Sequence, residues 1–234
     1  MNKEDLVVLH EDNHIIVVLK PQNVPCCEDD SKDYDLLRVI KDYVKEKEKK
    51  SGEAYVGLVH RLDRVTGGVM VFAKSSKSAS RLAEQMKNGD FQKTYLTVTV
   101  GEIKRKKAVL VNYLRKNAVT NTVYVCTETE KDAKKAELDY EVKESVNGLN
   151  LVKVNLHTGR SHQIRVQFTC IGSCVYGDKR YGGENAKKGN IALWATKLCF
   201  THPVTKERMV FKIEPPADEI PWKYFDVKTV FEKL

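Results

Sequence analysis

One aspartate set between two arginines is where chemistry is first suspected in this chain. Arg61-Leu62-Asp63-Arg64 lies on a polar bend that runs straight into the apolar segment Gly68 to Ala73. A carboxylate held beside cations and against a rigid strand is equipped to act while ionised, because neighbouring positive charge favours the charged form. The same four residues also make an ordinary salt-bridged corner, since aspartate commonly hydrogen-bonds the backbone of its own turn. A second dense polar stretch, Thr158-Gly159-Arg160-Ser161-His162-Gln163-Ile164-Arg165, supplies two more guanidinium groups and an imidazole. These residues suit phosphate contacts or fixing of a loop.

The elements that must position these groups follow from hydrophobic periodicity. Leu6 to His10 and Ile15 to Lys20 are β-branched runs separated by Glu11-Asp12-Asn13, which predicts a paired strand unit ended by Pro21 and Pro25. Leu36, Val39, Ile40, Tyr43 and Val44 recur at helical spacing, so Asp35 to Lys50 is expected to be an amphipathic helix with a solvated Lys/Glu tail. Gly68 to Ala73 reads as a strand buried on both faces, followed by a helix with the stripe Ala79, Leu82, Ala83 and Met86 that stops at Gly89. From Lys93 to Val100 the pattern alternates, with Leu96, Val98 and Val100 on one face and Tyr95, Thr97 and Thr99 on the other. Extended segments are expected over 122–127, 136–144 and 151–157. A helix entered through Ser161 as N-cap then buries Ile164, Phe168 and Ile171, with His162 and Arg165 sharing another face. The long Gly-rich loop from Tyr176 to Asn190 follows neither the Walker nor the dinucleotide glycine spacing. Strands outnumber helices and adjoin one another, which gives an α+β class with a mixed, largely antiparallel sheet flanked by helices and loops, expected as one domain over 1–234.

Composition narrows the partners. With 234 residues, 41% of them hydrophobic, the chain has ample material for a core. Forty Lys and Arg against 32 Asp and Glu leave a net charge of +8, which suits a polyanion such as nucleic acid and also fits a solvated basic surface. The first residues lack a signal-peptide pattern and no run of 18 apolar residues occurs, so a soluble, cytoplasmic protein without membrane attachment is expected. The six cysteines follow neither a zinc nor a small secreted disulfide pattern and read as reduced thiols.

HRLDRVTGGVMVFAK, KTY and HTGRSHQIRV, in this order and at these separations, resemble the RluA family of RNA pseudouridine synthases. DNHIIVVLKPQNVP is similar to that family's opening strand and proline loop, YGDKRYGG to its glycine loop, and LWATKLCFTHPVTKERMVFKIEPP to its closing strands. The chain departs at Gly67, where the family usually has Ser, and at Trp194, where His is frequent. Strand one begins by Leu6, so the small N-terminal RNA-binding domain of many members is expected to be missing. The resemblance implies the pseudouridine synthase fold and a reaction without cofactor or metal. In it uracil is detached from C1′ of a uridine, rotated and rejoined through C5. It implies Asp63 as the catalytic carboxylate, acting on the base, the sugar or a proton. Arg165 would be the arginine within salt-bridge reach of Asp63, and Tyr95 the ring lying against the target base.

A stacked uridine must be flipped out to reach such a carboxylate, at a cost of a few kcal/mol. His60, Arg61 and Arg64 are candidates for filling the vacated space or clamping phosphate, or for holding their own loop together. Arg160, Ser161, His162 and Gln163 are candidates for phosphate contacts or for fixing a loop, a structural role suiting His162 better than general-base chemistry. Lys77, Arg81 and the Lys104 to Lys107 cluster are further phosphate candidates. The expected partner is a structured ribosomal or transfer RNA, met by a monomer. A catalytically inactive RNA-binding or ribosome-assembly protein on the same fold is the alternative; a metal site built on His60, Asp63 and His162 lacks a completing ligand.

Overall fold

In the computed structural model, which describes residues 3–49 and 51–234, β-branched runs become strands and striped runs become helices. The chain forms two compact units. The first runs to Gln92 and resumes over Lys197–Ile213; the second comprises Lys93–Thr196 and Glu214–Leu234.

In the first unit β1 (Val7–Glu11) pairs antiparallel with β2 (Ile15–Lys20). The expected turn between them is closed by Asp12, whose Oδ1 accepts from the backbone N–H groups of His14 at 2.6 Å and Ile15 at 2.9 Å. Helix α1 (Leu36–Lys47) begins where the Asp35 side chain accepts from Arg38 N, a cap of about 1 kcal/mol. Its Lys/Glu tail continues as an exposed turn to Lys49, and the last residue of the expected helix, Lys50, lies outside the described residues. The two-residue β3 (Gly57–Leu58) and β2 both pair antiparallel with β4 (Gly67–Ala73), which is buried along its whole length as its unbroken apolar sequence requires. Helix α2 (Ser76–Asn88) is capped by Ser75 and ends at Gly89, whose φ of +82° is the left-handed conformation that glycine adopts without steric cost.

The second unit starts within β5 (Gln92–Val100) and continues through β6 (Lys107–Asn117), β7 (Thr122–Cys126), β8 (Lys134–Val146) and β9 (Leu149–Leu156). They lie in the order β5-β9-β8-β6-β7, each pair antiparallel. Helix α3 (Gln163–Cys170) and the short β10 (Cys174–Val175) follow, β10 pairing with β5. The chain then enters β11 (Leu193–Thr201), whose second half forms a hairpin with β12 (Arg208–Lys212) in the first unit, and ends with α4 (Val227–Glu232) in the second. The first unit's core joins Ile15, Val17, Val69, Val71 and Leu82 to Leu198 and Phe200 of that hairpin. Each such side chain contributes roughly 1.5–3 kcal/mol by leaving water.

Two sequence expectations change. Strand β5 is buried on both faces, so Thr97 and Thr99 are covered rather than wet; Thr97 Oγ1 donates to Ala192 O at 2.7 Å, and Thr99 Oγ1 accepts from Ser173 at 2.9 Å. A threonine with a hydrogen-bond partner tolerates burial that its polarity argues against. Helix α3 is not striped but buried continuously from Gln163 to Phe168, and its N-cap is His162, at φ +52°, rather than Ser161. No side chain caps it. Gln163 bonds its entry loop instead, accepting from Thr158 Oγ1 at 2.7 Å and Arg160 N at 3.0 Å while its Nε2 donates to Glu137 O. Gln167 Nε2 donates to Asn112 Oδ1 at 2.8 Å and to backbone carbonyls of Leu110 and Ala136. These amides explain how a polar helix is buried over its first six residues.

Candidate active site

Asp63 lies half-buried on the bend between β3 and β4, and the bend is closed by Thr66 N donating to Asp63 O at 2.9 Å. What holds this bend comes from the proline loop after β2. Lys20, fully buried at the end of that strand, donates through Nζ to Thr66 O at 2.7 Å and to Arg64 O and Pro21 O, each at 2.9 Å. Gln22 Nε2 donates to Val65 O at 3.1 Å, and Cys26 Sγ donates to Leu62 O while lying 3.4 Å from Leu62 N. Burial pushes the Lys20 ammonium down to about 8, against the upward pull of Cys26 and of the nearby Asp63 carboxylate. A cation under the bend thus orders Arg64 to Thr66 and adds positive potential beside Asp63.

The arginines flanking Asp63 do different things. Arg61 is exposed. Arg64 turns toward the 29–33 loop, where it bonds Ser31 Oγ at 2.8 Å and pairs with Asp33 and Asp29. It ties two loops of this unit together. His60 accepts the N–H of Val71 through Nε2 at 3.2 Å and packs edge-on against Phe91, so it fixes the entry to β4. Lys77 is exposed in the first turn of α2, while Arg81 donates to Pro203 O at 2.8 Å and holds the β11–β12 turn.

In the second unit Arg165 projects from α3 into a buried ion pair. Its Nε and Nη2 meet Asp178 Oδ2 and Oδ1 at 2.7 and 2.8 Å, a two-point pairing that fixes the guanidinium plane. Burial would raise the Asp178 carboxyl; Arg165 and the N–H groups of Arg180 and Tyr181 outweigh that and hold it below the usual carboxylate range. The guanidinium lies 5.0 Å from the centroid of Tyr181, whose hydroxyl accepts from Val123 N at 2.8 Å and meets His162 Nδ1 at 2.6 Å. His162 is therefore built into the support of Arg165. Arg160 donates through Nε to Lys135 O at 2.8 Å and is otherwise exposed. Tyr95 is buried on β5 opposite Val154 of β9.

Three contributors were missed by sequence reasoning. Lys20 had a signal, a lysine ending the buried run IIVVLK before a proline; Asp178 and Tyr181 were hidden in a loop whose glycines dominate its composition. Among the described residues no group of three or more His, Cys, Asp or Glu side chains has the arrangement of a metal site. The cysteines are free thiols, three of them buried.

Residues 14–169 match the family model described as RNA pseudouridylate synthase. The chain belongs to this family. An uncharacterised RNA pseudouridine synthase of Aquifex aeolicus is 32% identical over 89% of this chain and 69% of its own length. The ribosomal large subunit pseudouridine synthase C of Escherichia coli is 30% identical over 91% of this chain and 67% of its own. Human RNA pseudouridylate synthase domain containing 4 shares the fold with a TM-score of 0.75 and 21% identity, covering 97% of this chain and 93% of that one. As an RNA pseudouridine synthase the chain is an isomerase of uridine in RNA. No helix among its described residues is long and apolar enough to cross a membrane.

Proposed function

We propose that this pseudouridine synthase acts on flipped-out uridines of structured ribosomal or transfer RNA, with Asp63 as the catalytic carboxylate, Arg165 as its charge partner and Tyr95 against the base. The observation that carries the reading is the clamped bend. Three carbonyl bonds from one buried ammonium are an elaborate support for a turn that carries a single acidic side chain, and that side chain remains half-open to solvent. Arg165 is likewise held in one orientation by Asp178 and Tyr181, which prepares a cation for a fixed task. In this reading the protein is a cytoplasmic monomer that uses neither metal nor cofactor. Contacts to the RNA backbone offset the few kcal/mol of unstacking.

The test is conversion of uridine in bulk RNA from cells lacking this protein, read by nucleoside mass spectrometry without added metal. Asp63→Asn is expected to lose about 10²-fold or more in rate while RNA binding persists. Wild-type turnover by that variant would remove Asp63 from the mechanism, and absence of conversion by the wild type on every RNA fraction would favour the binding-protein alternative.

A further inference from the structure

Among the described residues three lysines are withdrawn from water next to ordered backbone, and two of them are fully engaged. Lys20 has its three carbonyls, and Lys74 pairs with Glu11 and Glu48, each at 2.7 Å. Lys93 differs. It lies on β5 two residues before Tyr95 and so on the same face of that strand. Its Nζ lies 3.3 Å from where a Cβ would stand on Gly159, and no described residue accepts a hydrogen bond from it or pairs with it. The charge that acts on it is another cation, Arg160, whose guanidinium is bonded through Nε alone, to Lys135 O. Burial first, and Arg160 second, lower the Lys93 pKa, the signature of an ammonium without a counter-charge.

An ammonium partly removed from water with no acceptor is costly, and a neighbouring guanidinium raises the cost. The arrangement is one negative charge short. Gly159 and Arg160 are both exposed, so the missing group can approach from solvent, and the absent side chain at Gly159 leaves the ammonium uncovered. We propose that Lys93 and Arg160 form an anion seat that takes a phosphodiester of the RNA substrate close to the nucleotide that reaches Tyr95. The location beside Tyr95 rests on the reading under Proposed function; the seat itself rests on the two cations.

The experiment is filter binding of total RNA from cells lacking the protein, at salt concentrations between about 50 and 200 mM KCl, with wild type, Lys93→Gln, Lys93→Arg and Arg160→Gln. Each phosphate no longer neutralised by the protein should reduce the slope of log K against log salt by about 0.7–0.9. Lys93→Gln and Arg160→Gln are expected to show that reduction and about tenfold weaker binding at the low-salt end, and Lys93→Arg to restore the slope. The melting temperature of Lys93→Gln without RNA should match or exceed that of the wild type, since an uncompensated charge is removed. An unchanged slope overturns the proposal, as does a clear fall in melting temperature, which would mark the ammonium as structural. Millimolar inorganic phosphate at constant ionic strength is the second arm. If it stabilises wild type but not Lys93→Gln while the RNA slope stays unchanged, the seat belongs to a small phosphate and the RNA assignment fails. These readouts need no turnover. A wild type that binds with the expected slopes but isomerises nothing would sink the reaction reading and leave the seat standing.

Discussion

The two units each immobilise a polar segment around a buried cation, and they do so with opposite electrostatics. Under the Asp63 bend the cation is Lys20, satisfied only by the dipoles of three carbonyls. On α3 it is Arg165, satisfied by the full charge of Asp178. Carbonyl dipoles offset less of the desolvation cost than a carboxylate does, so Lys20 loses its proton more readily than an ordinary lysine. The ion pair keeps both partners charged across the physiological range. One anchor is thus sensitive to pH and the other to removal of either partner.

The largest effect should come from splitting the ion pair. Asp178→Asn leaves a buried guanidinium without its counter-charge and is expected to destabilise the protein by about 3–5 kcal/mol in urea melts. Arg165→Met should cost a similar amount, and the double variant less than the sum of the two. Strict additivity would show that the pair is not coupled. Next comes Lys20→Met, which strands three carbonyls: a loss of about 2–4 kcal/mol is expected, together with a fall in isomerisation rate as the bend loosens. Unaltered rate and stability would deny the clamp its role.

The contrast sharpens with pH. The Lys20 proton is lost at about 8 in the folded chain and near its ordinary value of 10.5 in the unfolded one. Between those limits the unfolded chain binds more protons, so the Lys20 contribution to stability rises with pH and is at its lowest below 8. The stability gap between wild type and Lys20→Met should therefore widen by about 2 kcal/mol at most from pH 7.5 to 9.5. A constant gap would place the Lys20 pKa at its normal value. The gap between wild type and Asp178→Asn should stay level over the same interval. The smallest effect is expected for Tyr181→Phe, which removes the hydroxyl between Val123 and His162 and should cost about 1 kcal/mol in the same melts.

Sequence disclosed those parts of the fold whose partners are local. Helices α1 and α2 could be read because Asp35, Ser75 and Gly89 bond backbone within a few residues, and β4 because an unbroken apolar run has one comfortable environment. The family motifs likewise brought Asp63, Tyr95 and Arg165 into view. The supports of the candidate site escaped because their partners are distant. Lys20 bonds carbonyls more than forty positions away, which leave no mark on side-chain identity, and Asp178 is thirteen residues from Arg165 within a loop that reads only as a loop. Helix α3 misled for the same reason. Gln163 and Gln167 look like a wet face until the carbonyls and the Asn112 amide that receive them are known.

That amide network also limits how the chain can diverge. Replacing Gln167 by leucine would take a donor from Asn112 Oδ1 and two carbonyls at once, whereas replacing Asn112 leaves Gln167 Nε2 the carbonyls of Leu110 and Ala136. Gln167 therefore cannot drift by itself without passing through a poorly folding ancestor, while Asn112 can. Lineages should therefore keep Gln167 more strictly than Asn112, while the exposed β6–β7 hairpin tip around Val119 varies without penalty.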